Sequence, residues 1–160
     1  MGIIFRLNNY LFSSFREFFV YHYGSLSFRA RIFALVISAD EYARVENYIL
    51  VRRLSLEIYK NDEKRADILK LATKEIVDKI KENTLSIDSL VQRIQNDLKK
   101  TPRYAKKIDI ESLQEFLMYP YDEDTIIYQE RILEFLKNIK EETLLKSKKQ
   151  SKKTIQKECH

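Results

Sequence analysis

Two glycines and two prolines are the whole backbone punctuation of 160 residues. A β-sandwich reverses direction many times, and dinucleotide folds or phosphate loops need clustered glycines. A chain this poor in turn residues excludes those classes and points to long helices. Hydrophobic residues at 44% and charged residues at 33% place it among chains that bury a core, not among disordered ones. The longest unbroken apolar run, Ile32 to Ile37, is six residues, far short of the ~20 that a membrane-spanning helix needs. A single cysteine, Cys159, excludes an internal disulfide and a Cys-rich zinc site.

Apolar spacing divides the chain into helices. Residues 1–26 are unusually aromatic, and Phe5, Phe12, Phe15 and Phe19 share one helical face. Such a helix can lie on a membrane surface, cap the domain's own core, or pair with a second copy. Gly24 and Ser25 are expected to break it, and Ser27 to cap a helix reaching Ala39. Phe28, Ile32, Phe33, Ala34, Leu35, Val36 and Ile37 make that helix apolar nearly all round, the mark of a buried central helix. An acidic turn, Asp40-Glu41-Tyr42-Ala43, leads to a second helix over about 44–59, with Val45, Tyr48, Ile49, Val51, Leu54 and Ile58 expected inward. Asn61 or Asp62 caps a third helix to about Lys81, and Ser86 a fourth carrying Leu90, Val91, Ile94 and Leu98. Thr101-Pro102 predicts a short helical turn. Asp109 caps a fifth helix that Pro120 ends. Asp122-Glu123-Asp124 opens the last helix, with Tyr128, Ile132, Phe135 and Ile139 inward. The expected fold is all-α: one compact domain of six to seven helices around a buried central helix. It divides into an aromatic segment 1–26, a helical domain 27–145 and a Lys-rich flexible tail 146–160.

Charge sharpens that division. The net charge of +5 resides in the tail, where six lysines from Lys146 to Lys157 face only Glu158, so the preceding residues balance. A basic tail attracts nucleic acid or anionic lipid, or is simply a solvated, frayed end. No secretory signal pattern begins the chain, because polar residues interrupt its apolar stretch. A cytoplasmic location is expected on that ground.

Two acidic turns echo each other. Ile37-Ser38-Ala39-Asp40 leads to a helix containing Glu46, and Tyr121-Asp122-Glu123-Asp124 leads to one containing Glu130. Asp40 to Glu46 and Asp124 to Glu130 are both six positions apart, with apolar Ala43 and Ile127 at the third. This layout, together with Tyr128-Gln129-Glu130-Arg131-Ile132-Leu133, resembles the TerB-like family across about residues 27–142. That family comprises helical domains of tellurite-resistance proteins and of the region preceding the J domain in DjlA-type membrane co-chaperones. The glycine that follows each aspartate in the family is absent here, where Glu41 and Thr125 stand. The resemblance implies a metal site built from Asp40, Glu46, Asp124 and Glu130, taking a divalent cation such as calcium or magnesium. Hard cations of that kind want six or more oxygen ligands. Read as ordinary helix residues, the aspartates cap helix starts, and the glutamates pair with Arg52, Arg53 or Arg131.

Catalytic constellations are scarce. His22 and His160 are the only histidines, and neither falls in a zinc-protease or triad pattern. Cys159-His160 supplies two ligands where a metal site needs three or four. The carboxylate pairs Glu111/Glu115 and Glu130/Glu134 read as solvated helix faces. No His-Pro-Asp occurs, so J-domain activity is not expected. The expected function is a non-enzymatic interaction module, an adaptor or sensor in a stress-linked process. Its partner would be another protein, a second copy, or an anionic membrane surface met through residues 1–26 and 146–160. The alternative is a small nucleic-acid-associated protein using its basic tail, with a metal-dependent hydrolase a more distant third.

Overall fold

A computed structural model describes residues 24–158, with side chains to residue 154. The aromatic face of Phe5, Phe12, Phe15 and Phe19 lies outside the described residues, as do His22, Cys159 and His160. The described residues form six α-helices and two short 3-10 turns and contain no strand. We label them α1 (Gly24–Ile37), α2 (Val45–Ile58), α3 (Glu63–Lys81), α4 (Ile87–Lys100), α5 (Ile110–Gln114) and α6 (Glu123–Glu158). The 3-10 turns are Pro102–Lys107 and Glu115–Met118. The all-α domain expected from the sequence is therefore the one observed.

α1 is the central element. Its run from Ile32 to Ile37 is buried on every side, so neighbours must surround it. They are α3, α4, α6 and the Pro102–Lys107 turn, while α2 lies along α3. Two aromatic contacts pack against α1. Phe28 meets Tyr104 with ring centroids 5.2 Å apart, and Phe33 meets Phe116 at 5.9 Å. Both are tilted contacts of the kind aromatic pairs favour. Arg31, half-buried on α1, ion-pairs with Asp97 of α4.

Gly24 and Ser25 do not break the chain; both belong to α1, and Ser27 sits inside the helix rather than capping it. Gly24 serves packing instead. A Cβ there would stand 2.7 Å from the Tyr104 hydroxyl, so glycine makes room for the ring that packs on Phe28.

The other helix starts follow sequence chemistry. Asp62, Ser86 and Asp109 each accept a backbone N–H three residues on, from Arg65, Ser89 and Ser112. Asp122 does the same for Thr125 at 2.7 Å. α2 differs: Arg44 precedes it in extended backbone without a side-chain cap. Helix ends are handled without glycine. After α2, Lys60 takes φ 53°, with Asn61 N–H bonded to Leu56 carbonyl and Lys60 N–H to Glu57 carbonyl. After α3, Asn83 takes φ 57°, and Thr84 and Asn83 bond back to Lys79 and Ile80. This crossed pair of bonds is the Schellman ending, which usually recruits glycine.

Three expectations need correction. Val45 and Ile49 of α2 do not face inward; they are 71% and 63% exposed, while Leu50, Val51 and Leu54 are buried. One helix can turn only one stripe to its neighbour, and Asn47, Leu50, Val51, Leu54 and Ile58 are that stripe. On α6, Tyr128 is exposed and Gln129 wholly buried beside Ile132, Leu133 and Leu136, so the inward face is turned by one position. α6 also runs on to Glu158. The Lys-rich segment, expected as a frayed tail, continues the helix because it holds no Gly or Pro and is rich in Lys and Gln.

Candidate functional site

The two acidic turns meet. Asp40 ends the connection from α1, and its carboxylate is almost fully buried. One oxygen accepts the Tyr42 backbone N–H at 2.8 Å. The other faces Arg44 Nε at 3.5 Å. Arg44 in turn lays its guanidinium 4.0 Å above the Tyr121 ring, in the turn before α6. An arginine over an aromatic face is attracted by the ring's quadrupole. Asp122, one residue on, has its carboxyl held below the usual range, chiefly by the Thr125 hydroxyl and backbone bonds, with Arg44 adding to the effect. Arg44 is thus the tie between two turns about eighty positions apart in the chain.

The first of these turns does without a glycine. Among the described residues, no positive φ occurs between Ser38 and Arg44. The chain spans that distance in bends, pinned by Asp40 accepting from Tyr42.

Of the four carboxylates expected together, only Asp40 is buried; Glu46, Asp124 and Glu130 are exposed on their helices. Arg44 places positive charge beside Asp40. Among the described residues, no three of His, Cys, Asp and Glu gather into a metal-holding group. Glu115, half of one carboxylate pair, ion-pairs with Arg53.

Gln129 was not anticipated. Its side-chain N–H donates to the Val36 carbonyl at 3.2 Å. Val36 lies in the last turn of α1, where carbonyls have no helical partner. Gln129 therefore closes the end of the central helix from α6. The sequence signal was its place inside Tyr128-Gln129-Glu130, one residue before an exposed glutamate.

Around this junction lies an apolar surface. Val45 and Ile49, four positions apart, share one face of α2, and Tyr42 stands in the turn just before it. All three are more than 60% exposed. Tyr121, 88% exposed, joins them through Arg44. Glu41, Glu46, Asp122, Glu123 and Asp124 are exposed in the same turns and first helical turns. The result is an apolar aromatic strip with acidic side chains interleaved. Contiguous exposed apolar side chains with a charged rim mark binding surfaces, and aromatics are enriched at such sites.

Among the described residues, no helix is long and apolar enough to cross a membrane. Comparison with known proteins returns no matching family model, no matching curated protein and no matching solved structure.

Proposed function

We propose that this chain is a non-enzymatic helical interaction module of TerB-like type, an adaptor or sensor in a stress-linked process at the cytoplasmic side of a membrane. The exposed strip of Tyr42, Val45, Ile49 and Tyr121 carries this reading. Val45 and Ile49 on the outer face of α2, with Tyr42 in the turn before it, stand near the stacked Arg44–Tyr121 pair and are exposed rather than in the core. Their acidic setting selects the occupant: a basic amphipathic segment of another protein, apolar side chains on the strip and lysines against the carboxylates. Helix-in-groove and helix-on-face recognition works through such i, i+3, i+4 anchors.

A labelled amphipathic peptide of alternating Leu and Lys helical faces is the probe, read by fluorescence anisotropy on the full chain. Binding is expected to weaken at least tenfold in a Val45→Glu/Ile49→Glu variant whose thermal transition is unchanged, and to weaken with salt. Equal binding by that variant would remove the strip from the proposal. Calorimetric titration with calcium or magnesium, wild type against Asp40→Asn, reads whether the acidic turns also take a cation.

A second reading rests on α6. Lys146, Lys148, Lys149, Lys152 and Lys153 extend along a helix exposed at those positions as far as side chains are described. A helix-borne lysine row suits an anionic lipid surface or nucleic acid. Co-sedimentation with anionic vesicles, with and without residues 146–160, separates the two. Pelleting that depends on those residues supports lipid attachment, and steeply salt-dependent binding to a duplex oligonucleotide supports nucleic acid.

A further inference from the structure

The exposed strip beside α2 and the far end of α6 carry opposite charge. Around the strip stand six carboxylates, Asp40, Glu41, Glu46, Asp122, Glu123 and Asp124. Against them are Arg44 and Lys81, the latter lining a cavity with Asp40 and Glu41. Six against two leaves a net of −4 among the described residues of these turns. Glu130 and Arg131, further along α6, cancel. Arg52 and Arg53, further along α2, are held by Asp67 and by Glu57 and Glu115.

The last turns of α6 are the reverse. From Lys146 onward, six lysines meet only Glu158. One face of this stretch, with Thr143, Lys146, Ser147 and Gln150, lines a cavity against α4 and Pro102, so it is turned to the body of the domain. The other face carries Leu145, Lys148, Lys149 and Lys152, all exposed and spaced three or four apart around the helix. An apolar anchor beside three lysines is the complement of an apolar strip among carboxylates. Acid at a helix start and lysine at its end also suit the helix dipole. The dipole does not account for the apolar side chains exposed at both ends, Val45 and Ile49 at one and Leu145 at the other.

One chain cannot join its own two surfaces. Asp124 and Lys149 lie on the same helix, about 38 Å apart at about 1.5 Å of rise per residue. Exposed charges attract appreciably only within about 8 Å at physiological salt. A second copy brings the surfaces together, because each copy offers one of each.

We propose that the strip takes the end of α6 from a second copy, with Leu145 on Val45 and Ile49, and Lys148, Lys149 and Lys152 among the carboxylates of the two acidic turns. This rests on the strip being a docking surface and names its occupant.

Sedimentation velocity of the full chain is the test, at low salt and at about 1 M salt, where charges act over only about 3 Å. Association is expected at low salt and monomers at high salt. Two full-length variants each remove one half of the contact: Val45→Glu/Ile49→Glu the strip, and Lys148→Glu/Lys149→Glu/Lys152→Glu the helix end. Each should be monomeric alone at low salt, with circular dichroism confirming its helical fold. Mixed in equal amounts, they should form a one-to-one heterodimer, since each keeps the half the other lacks. The proposal falls if either folded variant associates as the wild type does, or if the mixture stays monomeric. Should one variant fail to fold, the other alone against wild type carries the test. A wild-type chain that stays monomeric at low salt, while its strip still binds the Leu–Lys peptide, overturns the second copy as occupant and leaves the lysine face to lipid or nucleic acid. A strip that binds neither overturns the docking reading as well.

Discussion

Gln129 of α6 donates a side-chain N–H to the carbonyl of Val36 in α1, across 93 positions of sequence, and both residues are wholly buried. Backbone N–H groups of Ser38 and Asp40 already take the Ala34 and Ile37 carbonyls at that helix end; this bond takes the Val36 carbonyl and ties the last helix to the central one. It also explains why a polar side chain occupies the core between Ile132 and Leu133 on one side and the end of α1 on the other. A leucine there would fill the space and leave the carbonyl unmet.

Gln129→Met keeps the volume and removes the donor. It is expected to lower stability by about 1–3 kcal/mol, the usual cost of a stranded buried acceptor. Thermal unfolding by circular dichroism reads this as a drop of several degrees. Glu130→Gln next door, on the exposed side, should stay within about 0.5 kcal/mol of wild type.

Lys60 holds a left-handed backbone that costs a residue with a side chain about 1 kcal/mol. Lys60→Gly removes that cost while loosening the unfolded chain somewhat. A net gain of about 0.5 kcal/mol is expected in urea unfolding. Ser55→Gly, inside α2, should instead destabilise, because glycine within a helix costs about 0.5–1 kcal/mol.

The Arg31–Asp97 pair is only about a quarter exposed on either side, whereas Lys74–Asp78 is about half exposed. Screening by water is therefore weaker for the first. Double-mutant cycles should give a coupling above about 1 kcal/mol for Arg31–Asp97. For Lys74–Asp78, about 0.5 kcal/mol or less is expected. Raising the salt concentration should shrink the second value more.

Asp109 and Asp122 both titrate below the ordinary carboxylate range, chiefly because the hydroxyls of Ser112 and Thr125 hydrogen-bond their ionised forms. Folding therefore favours the charged forms. Their stabilising effect is present above about pH 4, the unfolded value. It is lost as pH falls through the lower folded values. Replacing both by asparagine should flatten the acid limb of a stability–pH curve, with little change in its slope between pH 6 and 8. An equally steep limb in the double variant would place the acid sensitivity elsewhere.

Local chemistry was legible at most helix starts. Asp62, Ser86, Asp109 and the acidic turn before α6 announce themselves because capping is a matter of a few adjacent residues. The central helix was legible for a similar reason: an unbroken apolar run leaves no polar side to face water. The sites read less well. The four carboxylates of the acidic turns share a spacing, but spacing along the chain says nothing of which neighbour arrives beside them. Arg44 lies four positions from Asp40 and reaches it locally, but Tyr121 reaches Arg44 only because α6 returns to the end of α1.

From its sequence alone, this chain was bound to be helical, with α1 at its centre and polar caps at four of its helix starts, since those properties follow from periodicity and from backbone groups a few residues apart. Tertiary structure alone decided which side of α2 and α6 turned inward. A helix with apolar residues on more than one side can bury either, and the neighbours choose. That choice put Gln129 in the core and left Val45 and Ile49 on the surface.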